Sequence, residues 1–280
     1  MEKENKKEIA VLLTVHNRRD TTIRCLGDLF SNIIPPRVII RVYMVDDGCT
    51  DGTPEAVSKA FPQVIIVKGN GNLYWNRGMW TAWKEAAKRD YDYYMWLNDD
   101  TMLYPNAVSV LVDTSAIYHE EAIIVGATQN PKHTRVTYGG RIKEAIPQPN
   151  GVPVEVEYFN GNIVLIPRYV FDRVGNLDFY FTHSKGDFDY GLRARKEGIH
   201  IIQVGEVLGE CDSHPTIDKW CNPDVPFMDR WKAMWKPNGM PPHETYHLEK
   251  KHKGLGTALL HYITIYIRCF VPELWKRLKR

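Results

Sequence analysis

The sequence is poor in cysteine, which limits the classes of protein it can represent. Five cysteines are scattered along 280 residues, and no two of them form a C-x-x-C pair. An odd and scattered set argues against a disulfide framework and against a zinc site, and it predicts a reducing, cytoplasmic environment. The five are Cys25, Cys49, Cys211, Cys221 and Cys269.

Strong net charge and the common phosphate-binding loops are also missing. The formal charge is only +2, so no basic field indicates a nucleic-acid partner. No G-x-x-x-x-G-K-[S/T] occurs, and the glycine-containing segment 69–79 lacks G-x-G-x-x-G because Tyr74 stands where the last glycine would be. The N-terminus is charged and has no apolar run, so no signal peptide is predicted.

What the chain does have is a regular alternation of strand-like and helix-like segments. Its hydrophobic content of 44% is enough for a sizeable core. Strands are predicted near 9–15, 38–45, 64–67, 93–97, 122–128, 154–159, 163–166 and 199–204. Helices are predicted near 20–31, 54–60, 76–89, 105–118, 168–174 and 187–197. This alternation predicts βαβ units and a mainly parallel sheet flanked by helices.

Polar side chains follow the first, second and fourth predicted strands at the point where each strand ends. The second strand ends at Asp46 and Asp47, and the fourth ends at Asn98, Asp99 and Asp100. Open α/β sheets bind ligands at the carboxyl ends of their strands. Adjacent carboxylates repel unless a cation or donors share the site, and oxygen ligands favour Mg²⁺ or Mn²⁺. The residues alone leave a second interpretation open, in which these are polar turns that cap the following helices.

Four segments, in this order, resemble family 2 glycosyltransferases with the GT-A fold. They are LLTVHNRRD at 12–20, VYMVDDGCTDGT at 42–53, WLNDDT at 96–101 and NLDFYFTHSKGDFDYGLRARKEG at 176–198. The resemblance covers roughly residues 9–215, and the ordered set is more specific than any one member. It implies a Rossmann-like GT-A domain at 1–215, with a nucleotide-binding half at about 9–128 and an acceptor half at about 129–215. A C-terminal helical extension would follow at 216–280.

The resemblance implies a UDP- or dTDP-linked sugar as donor. Thr14 and Asp47 occupy the family's nucleoside-binding positions, and Asn76 and Arg77 would contact diphosphate or ribose beside the donor. The full set of predicted donor-binding residues is Thr14, Asp46, Asp47, Asn76, Arg77 and Asp99. For Asp46 and Asp47 turn chemistry is the alternative, and for Arg77 a surface position.

A divalent cation, Mn²⁺ or Mg²⁺, is also implied by the resemblance. Asp100 falls on the last position of the family's metal-binding Asp-x-Asp motif, and Asn98 stands at its first position, which is a departure from the pattern. His214 lies where the family often has a histidine near the metal or diphosphate. A structural role for this histidine stays open, because lone histidines are more often structural.

The acceptor-side motif supplies the predicted general base, Asp187, which lies six residues before Arg193 as the family pattern requires. Gly186 replaces the glutamate that usually precedes the aspartate. A carboxylate suits this role because a sugar hydroxyl loses its proton only as the new bond forms. Asp189 is the alternative base, and Asp189 and Arg193 are predicted to lie on the acceptor side. Helix capping by either aspartate is the structural alternative.

The C-terminal segment combines an apolar helix with basic flanks. The uncharged run between Lys253 and Arg268 is shorter than the ~20 residues that span a bilayer. One helical face is formed by Leu255, Leu259, Tyr262, Ile263, Tyr266 and Phe270. Residues 254–280 are therefore predicted to contact the anionic inner leaflet, or else to dock on the catalytic domain or a dimer partner.

Together these features predict an inverting, metal-dependent glycosyltransferase of the hexosyltransferase type. The resemblance to surface-polysaccharide enzymes implies a glycan or polyprenyl-diphosphate-linked acceptor, and a location in the cytoplasm or on the cytoplasmic face of the membrane. One alternative is a nucleotidyltransferase that makes the activated sugar, although residues 14–20 lack the glycines of its loop. The other is a non-catalytic protein that binds nucleotides or glycans.

Overall fold

The chain forms two compact units. The computed structural model describes residues 6–213 and 217–274. The first unit contains the described residues up to Phe179 together with Asp187–Ser213, and the second contains Tyr180–Gly186 together with the described residues from Ile217 onward. The sequence predicted a single division at 215, whereas the short segment Tyr180–Gly186 groups with the C-terminal helices.

The helices and strands alternate along the first unit as the sequence predicts. The strands are β1 (Lys7–Val15), β2 (Val38–Asp46), β3 (Ile65–Lys68), β4 (Tyr93–Leu97), β5 (Met102–Leu103), β6 (Ile123–Gln129), β7 (Val136–Tyr138), β8 (Gly140–Arg141), β9 (Val154–Glu155), β10 (Tyr158–Phe159), β11 (Ile163–Pro167) and β12 (Ile201–Glu210). The helices are α1 (Arg19–Phe30), α2 (Thr53–Ala60), α3 (Tyr74–Ala86), α4 (Ala107–Ile117), α5 (Arg168–Val174), α6 (Gly186–Lys196), α7 (Phe227–Trp235), α8 (Pro242–Lys253) and α9 (Leu255–Phe270).

Within the described residues, ten strands form one mixed sheet. Its order is β3-β2-β1-β4-β11-β6-β12-β5, with β7 paired to β6 and β9 paired to β12. β1 runs parallel to both β2 and β4, and β2 runs parallel to β3, so these four strands end at one edge. β11 is antiparallel to both of its neighbours, β4 and β6. The shared edge carries the polar residues that follow β1, β2 and β4.

The two faces of the sheet bury alternate residues of each strand. Ile9, Val11 and Leu13 of β1 face the helices α1, α2 and α4, whereas Ala10 and Leu12 face α3, α5 and α6. All five are fully buried. Strands buried on both faces read as continuous apolar runs, which is why the sequence located them correctly. The predicted α/β architecture, a mainly parallel sheet flanked by helices, is confirmed.

The shortest strands differ from the prediction. The predicted strand at 154–159 is divided into β9 and β10, which belong to different sheets. β12 continues to Glu210, well past the predicted end at 204, because its last residues pair with β5. β5, β7 and β8 have two or three residues each and no sequence pattern of their own. Pairing with longer neighbours, and not local propensity, defines them.

The second unit is a helical cluster with its own small core. α7 and α9 surround Trp220, Met234, Ile265 and Cys269, which are buried. The carboxylate of Glu244 on α8 accepts the backbone N–H of Thr182 at 2.9 Å. This bond ties the segment Tyr180–Gly186 to the second unit.

α9 has an inward and an outward apolar face. Ala258, Ile265 and Cys269 are buried, and Tyr262 and Tyr266 are half-buried. The outward face consists of Leu255, Leu259, Leu260, Ile263, Ile267 and Phe270, each between 41% and 59% exposed. Among residues 6–213 and 217–274 no helix combines the length and hydropathy needed to cross a membrane.

Candidate active site

Two loops at the carboxyl edge of the sheet are joined by hydrogen bonds between side chains and backbone. Asn17 Oδ1, after β1, accepts the N–H of Thr50 at 2.7 Å, and Asp51 Oδ2 accepts the N–H of Arg19 at 3.0 Å. Asp46 Oδ1 accepts the N–H of Cys49 at 2.8 Å. Asp46 therefore makes the turn contact that the structural alternative predicts. It also borders an open cavity of about 720 Å³ at the ends of β2 and β3, so its donor contact stays a prediction.

Asp47 holds the loop that leads into α3. Its side chain is only 3% exposed. One carboxylate oxygen accepts the N–H of Gly71 at 2.8 Å, and the other accepts the N–H groups of Leu73 and Tyr74 at 2.9 Å each. Tyr74 adopts a left-handed φ of 55°, a costly conformation for a residue with a side chain. Asp47 thus stabilises this loop through three backbone hydrogen bonds, and its contact with a nucleobase stays a prediction.

Thr14 and the first turn of α3 are packed tightly together. A Cβ atom at Gly78 would lie 2.1 Å from Thr14 Oγ1, so only glycine allows this approach. Asn76 is fully buried and donates to the carbonyl oxygen of Asp178 at 2.8 Å. Arg77 Nε donates to the carbonyl oxygen of Phe179 at 3.1 Å. In this structure both side chains hold the chain at 178–179, and their contacts with the diphosphate or ribose stay a prediction.

The turn after β4 presents two carboxylates that share one cation. Arg18 Nη1 lies 3.0 Å from Asp99 Oδ1 and 2.8 Å from Asp100 Oδ2. Asp99 is 6% exposed, and burial raises the pKa of its carboxyl to about 7, against the lowering effect of Arg18. Asp99 Oδ2 is buried and has no hydrogen-bond partner among the described residues. The turn therefore retains an unused carboxylate oxygen.

Asp100 has a buried thiol as its second neighbour. Cys211 Sγ donates to Asp100 Oδ1 at 3.7 Å. Burial, together with the charge of Asp100, raises the pKa of Cys211 to about 12, so the sulfur is a thiol at neutral pH. His214, the predicted further ligand, lies outside the described residues.

The carboxylate turn suits a hard cation that takes most of its ligands from elsewhere. No three His, Cys, Asp or Glu side chains converge on one point in the described ranges 6–213 and 217–274. Mg²⁺ commonly binds one or two protein carboxylates and completes its shell with water and substrate phosphates. The Asp99–Asp100 pair, with one buried oxygen unused, fits that pattern. Binding of Mn²⁺ or Mg²⁺ here stays a prediction.

Asn98 is linked to Asp187 by a short series of contacts. Its amide oxygen accepts the indole N–H of Trp75 at 2.6 Å. The indole lies against Gly161, where a Cβ atom would be 2.6 Å from the ring. The N–H of Gly161 donates to Asp187 Oδ2 at 3.1 Å. Asn98 thus orients Trp75, and its ligation of a metal would require this bond to be shared or broken.

Asp187 has the properties of a general base. It lies in the first turn of α6 and is half-buried. Its oxygens accept the N–H groups of Gly161 and Phe188, at 3.1 and 2.9 Å. Burial nevertheless raises the pKa of its carboxyl to about 6. A base near this value is ionised at neutral pH and is basic enough to take a proton.

Asp189 and Arg193 form a buried ion pair. Asp189 is fully buried, and Arg193 Nε lies 2.8 Å from its Oδ2. Arg193 also donates to the carbonyl oxygens of Val174 and Asn176, at 2.6 and 2.8 Å. Neither carboxylate oxygen of Asp189 reaches solvent in this structure, and contact of Asp189 or Arg193 with the acceptor stays a prediction. Asp187 is favoured over Asp189 as the base.

Sequence reasoning missed three residues of this site: Arg18, Trp75 and Gly161. Arg18 stands in the polar turn after β1, and its position beside β4 was available from the parallel pairing of the strands. Trp75 is aromatic, and a tryptophan in this position of the sequence is most simply interpreted as a core residue. Gly161 carries no signal in the sequence, since its importance comes from the close approach of the indole and Asp187.

The sheet order, with carboxylates after β2 and β4, is that of an open α/β fold whose candidate site lies at the carboxyl edge of the sheet. The sequence profile described as glycosyl transferase family 2 matches residues 10–174. This is more than half of the chain, and the protein belongs to that family. A comparison with curated protein sequences finds no match.

Solved structures with the same fold include TarS and a mannosyltransferase. The crystal structure of residues 1–349 of TarS from S. aureus is 16% identical, with a TM-score of 0.54 over 73% of this chain and 60% of that one. The mannosyltransferase PcManGT from Pyrobaculum calidifontis, in complex with GDP-Man and Mn²⁺, is 16% identical, with a TM-score of 0.55 over 93% of this chain and 74% of that one. At such identities the similarity establishes the fold. The chain spans less than two thirds of the TarS fragment's length.

Proposed function

We propose that the protein is an inverting glycosyltransferase that uses a nucleoside-diphosphate sugar. The observation that carries this proposal is the series of contacts from Asn98 through Trp75 and Gly161 to Asp187. It connects a carboxylate turn suited to a metal–diphosphate with a carboxyl whose raised pKa suits a base. Both groups belong to the first unit, and both belong to segments in which the family resemblance was found.

The proposed reaction is a single displacement. The acceptor hydroxyl oxygen forms a bond to the anomeric carbon while the bond from that carbon to the diphosphate oxygen breaks with its electron pair. The hydroxyl proton passes to Asp187, which is ionised above about pH 6. Attack from the face opposite the leaving group inverts the anomeric configuration. Trp75, half-buried and fixed at Asn98 and Gly161, offers an apolar surface for the donor sugar.

Asp100 and Asp99 are the proposed holders of Mn²⁺ or Mg²⁺. When bound, such a cation supplies positive charge that offsets the charge on a departing nucleoside diphosphate. The PcManGT structure is a complex with GDP-Man and Mn²⁺, which supports the proposal of a nucleotide sugar and a divalent cation for this protein. A UDP- or dTDP-linked sugar is proposed from the sequence resemblance.

A non-catalytic binder and a nucleotidyltransferase are the competing functions. A binding protein needs no group at the position of Asp187, whereas burial raises the pKa of this carboxyl to about 6, at a cost to the folded state above that pH. A nucleotidyltransferase needs glycines after β1, where the chain has Asn17 and Arg18 instead. The transferase therefore accounts best for both features.

A donor screen tests this proposal. UDP-, dTDP- and GDP-sugars are incubated with the protein, with and without Mn²⁺, and release of nucleoside diphosphate is measured. Asp100→Ala should abolish Mn²⁺-dependent release, and Asp113→Ala, which removes an exposed carboxylate of α4, should leave it unchanged. No release from any donor would favour the binder. Near-normal release by Asp100→Ala at low Mn²⁺ would contradict the metal assignment.

We further propose that α9 contacts an anionic membrane surface, where a polyprenyl-diphosphate-linked acceptor resides. The six outward apolar residues of α9 follow one another on a single helical face. Lys250, Lys251 and Lys253 lie in the last turn of α8, directly before this face. The lysines beside this apolar face are attracted to anionic lipid, whereas they would repel the same lysines of a second copy of the chain. An anionic leaflet is therefore the favoured partner.

Sedimentation with phosphatidylglycerol vesicles tests the membrane proposal. Leu259→Ser with Ile263→Ser should weaken binding by tenfold or more, because each side chain contributes about 1 kcal/mol on partial burial. The matched control is Ile33→Ser with Ile117→Ser, two apolar residues that are 60% and 69% exposed outside the second unit. Equal sedimentation of both variants and the parent would contradict the proposal. Loss of an oligomer in the α9 variant, without loss of vesicle binding, would instead indicate a second copy of the chain.

A further inference from the structure

Arg18 is the least expected residue of the site. It occupies the N-cap position of α1 without making a capping hydrogen bond, and its side chain is 47% exposed. The same nitrogen, Nη1, bonds both carboxylates of the turn after β4, at 3.0 Å to Asp99 and 2.8 Å to Asp100. A single positive group thus lies between two adjacent carboxylates that would otherwise repel each other.

We infer that Arg18 is an internal counterion of the Asp99–Asp100 pair. A divalent cation replaces Arg18 at this pair, and the displaced guanidinium then binds the diphosphate of the donor. The inference rests on the proposed function, since it needs a metal and a nucleotide at this turn. It assigns Arg18 a positioning role in the empty enzyme and a binding role in the loaded one. The carboxylate pair thus has a positive partner in both states: Arg18 without the metal, and the divalent cation when the metal is bound.

The geometry makes this exchange feasible. Arg18 uses one nitrogen for both contacts, so most of its five N–H donors are not committed to the pair. Ion pairs with a half-exposed partner are weak, and a divalent ion carries twice the charge. Asp99 Oδ2, buried and without a partner in the described residues, offers the incoming cation an oxygen that Arg18 does not occupy.

The displaced guanidinium has a suitable second ligand. Its planar fork binds phosphate oxygens through two parallel hydrogen bonds, which a lysine ammonium does not do. The long side chain starts from the residue directly before α1, at the carboxyl edge of the sheet, where the diphosphate is proposed to bind. Arg18 therefore links metal binding to nucleotide binding.

The neighbouring residue provides a matched control. Arg19 has the same side chain, is 52% exposed, and pairs with Asp20 instead of the carboxylate turn. Arg19→Gln removes the same charge one residue away, so it reports the through-space effect of charge alone. Arg18→Lys keeps the charge and loses the planar fork.

The test measures Mn²⁺ binding to the full-length protein by electron paramagnetic resonance, without nucleotide. Arg18→Gln should bind Mn²⁺ about tenfold more tightly than the parent, and Arg19→Gln within twofold of it. At saturating Mn²⁺, the affinity of Arg18→Gln for UDP and GDP should fall by about tenfold. Arg18→Lys should restore the parent's Mn²⁺ affinity but not its nucleotide affinity. Opposite changes for metal and nucleotide are the signature of the exchange.

The outcomes separate this inference from the proposed function. If the parent binds Mn²⁺ and Arg18→Gln binds it equally or less well, the counterion role is refuted while the metal site stands. If Mn²⁺ binding tightens and nucleotide affinity is unchanged, the transfer to the diphosphate is refuted. If neither protein binds Mn²⁺, the metal assignment fails and the inference fails with it.

Discussion

Replacing Asp187 with asparagine should inactivate the protein and make it more stable. Burial raises the pKa of this carboxyl from 3.8 to about 6. At 1.36 kcal/mol for each unit of pKa, holding the ionised group in the folded state costs at most about 3 kcal/mol. Asparagine carries no charge, but it keeps only one of the two acceptor oxygens, so losing the bond to Gly161 or Phe188 costs about 1–3 kcal/mol. The net gain of Asp187→Asn at pH 8 should therefore be at most about 2 kcal/mol, or a rise in the unfolding temperature of up to roughly 8 °C.

The pH dependence fixes the sign of this effect. Because the folded-state pKa is the higher one, the native protein binds more protons than the unfolded chain between pH 3.8 and about 6. Its stability falls as the pH rises through this window and is constant above it, as far as this group is concerned. The advantage of Asp187→Asn should thus be full above pH 6 and should disappear near pH 4.

Turnover should change in the opposite direction. An amide accepts no proton, so release of nucleoside diphosphate to an acceptor should fall by ~10²-fold or more. The parent's rate should rise with pH through about 6 as Asp187 ionises. Asp20→Asn is the control, because Asp20 also lies in the first turn of a helix but is 88% exposed.

Thermal unfolding followed by circular dichroism at pH 4, 6 and 8, together with initial rates, completes the experiment. If the difference in stability between Asp187→Asn and the parent is the same at pH 4 and at pH 8, the cost assigned to burial is refuted. If it retains turnover within tenfold, Asp187 is not the base. Asp20→Asn should match the parent in both measurements at every pH.

Two further predictions concern buried carboxylates. Asp47→Ala removes the acceptor of three backbone N–H groups, so it should lower the free energy of unfolding by at least about 3 kcal/mol without nucleotide, as denaturant unfolding would show. An unchanged stability with weaker nucleotide binding would support direct base reading by Asp47. Arg193→Ala removes the ion partner of the buried Asp189 and should cost about 3–5 kcal/mol. A loss below 1 kcal/mol would contradict the structural role of that pair.

Most of the sheet could be predicted because its strands are local in sequence. β1 and β4 are buried on both faces, so a continuous apolar run marks each of them. Short strands such as β5 are defined by pairing with a strand about a hundred residues away, and no local hydrophobic pattern in the sequence predicts them. The family resemblance supplied what the residues alone left open, namely that the polar strand ends belong to one site.

The roles of single residues were harder to predict than their position. Asp187 and Asp189 both lie in the first turn of α6, and only the family pattern, not a physical property of the sequence, favoured Asp187 as the base. Burial and the pairing with Arg193 distinguish them, and both are tertiary properties. Arg18 meets carboxylates more than eighty residues away, a contact that depends on the parallel pairing of β1 with β4.

The second unit is assembled from two separate parts of the chain, and this has a consequence for synthesis on the ribosome. Thr182 leaves the ribosome 62 residues before its partner Glu244. At roughly 5–20 residues per second, the segment that precedes Asp187 waits about 3–12 s for the helix that holds it. Once Glu210 has emerged, the nascent first unit has all of its described strands but still lacks the partner of Tyr180–Gly186. An exchange of C-terminal halves between relatives would therefore have to carry this short segment along with the helices.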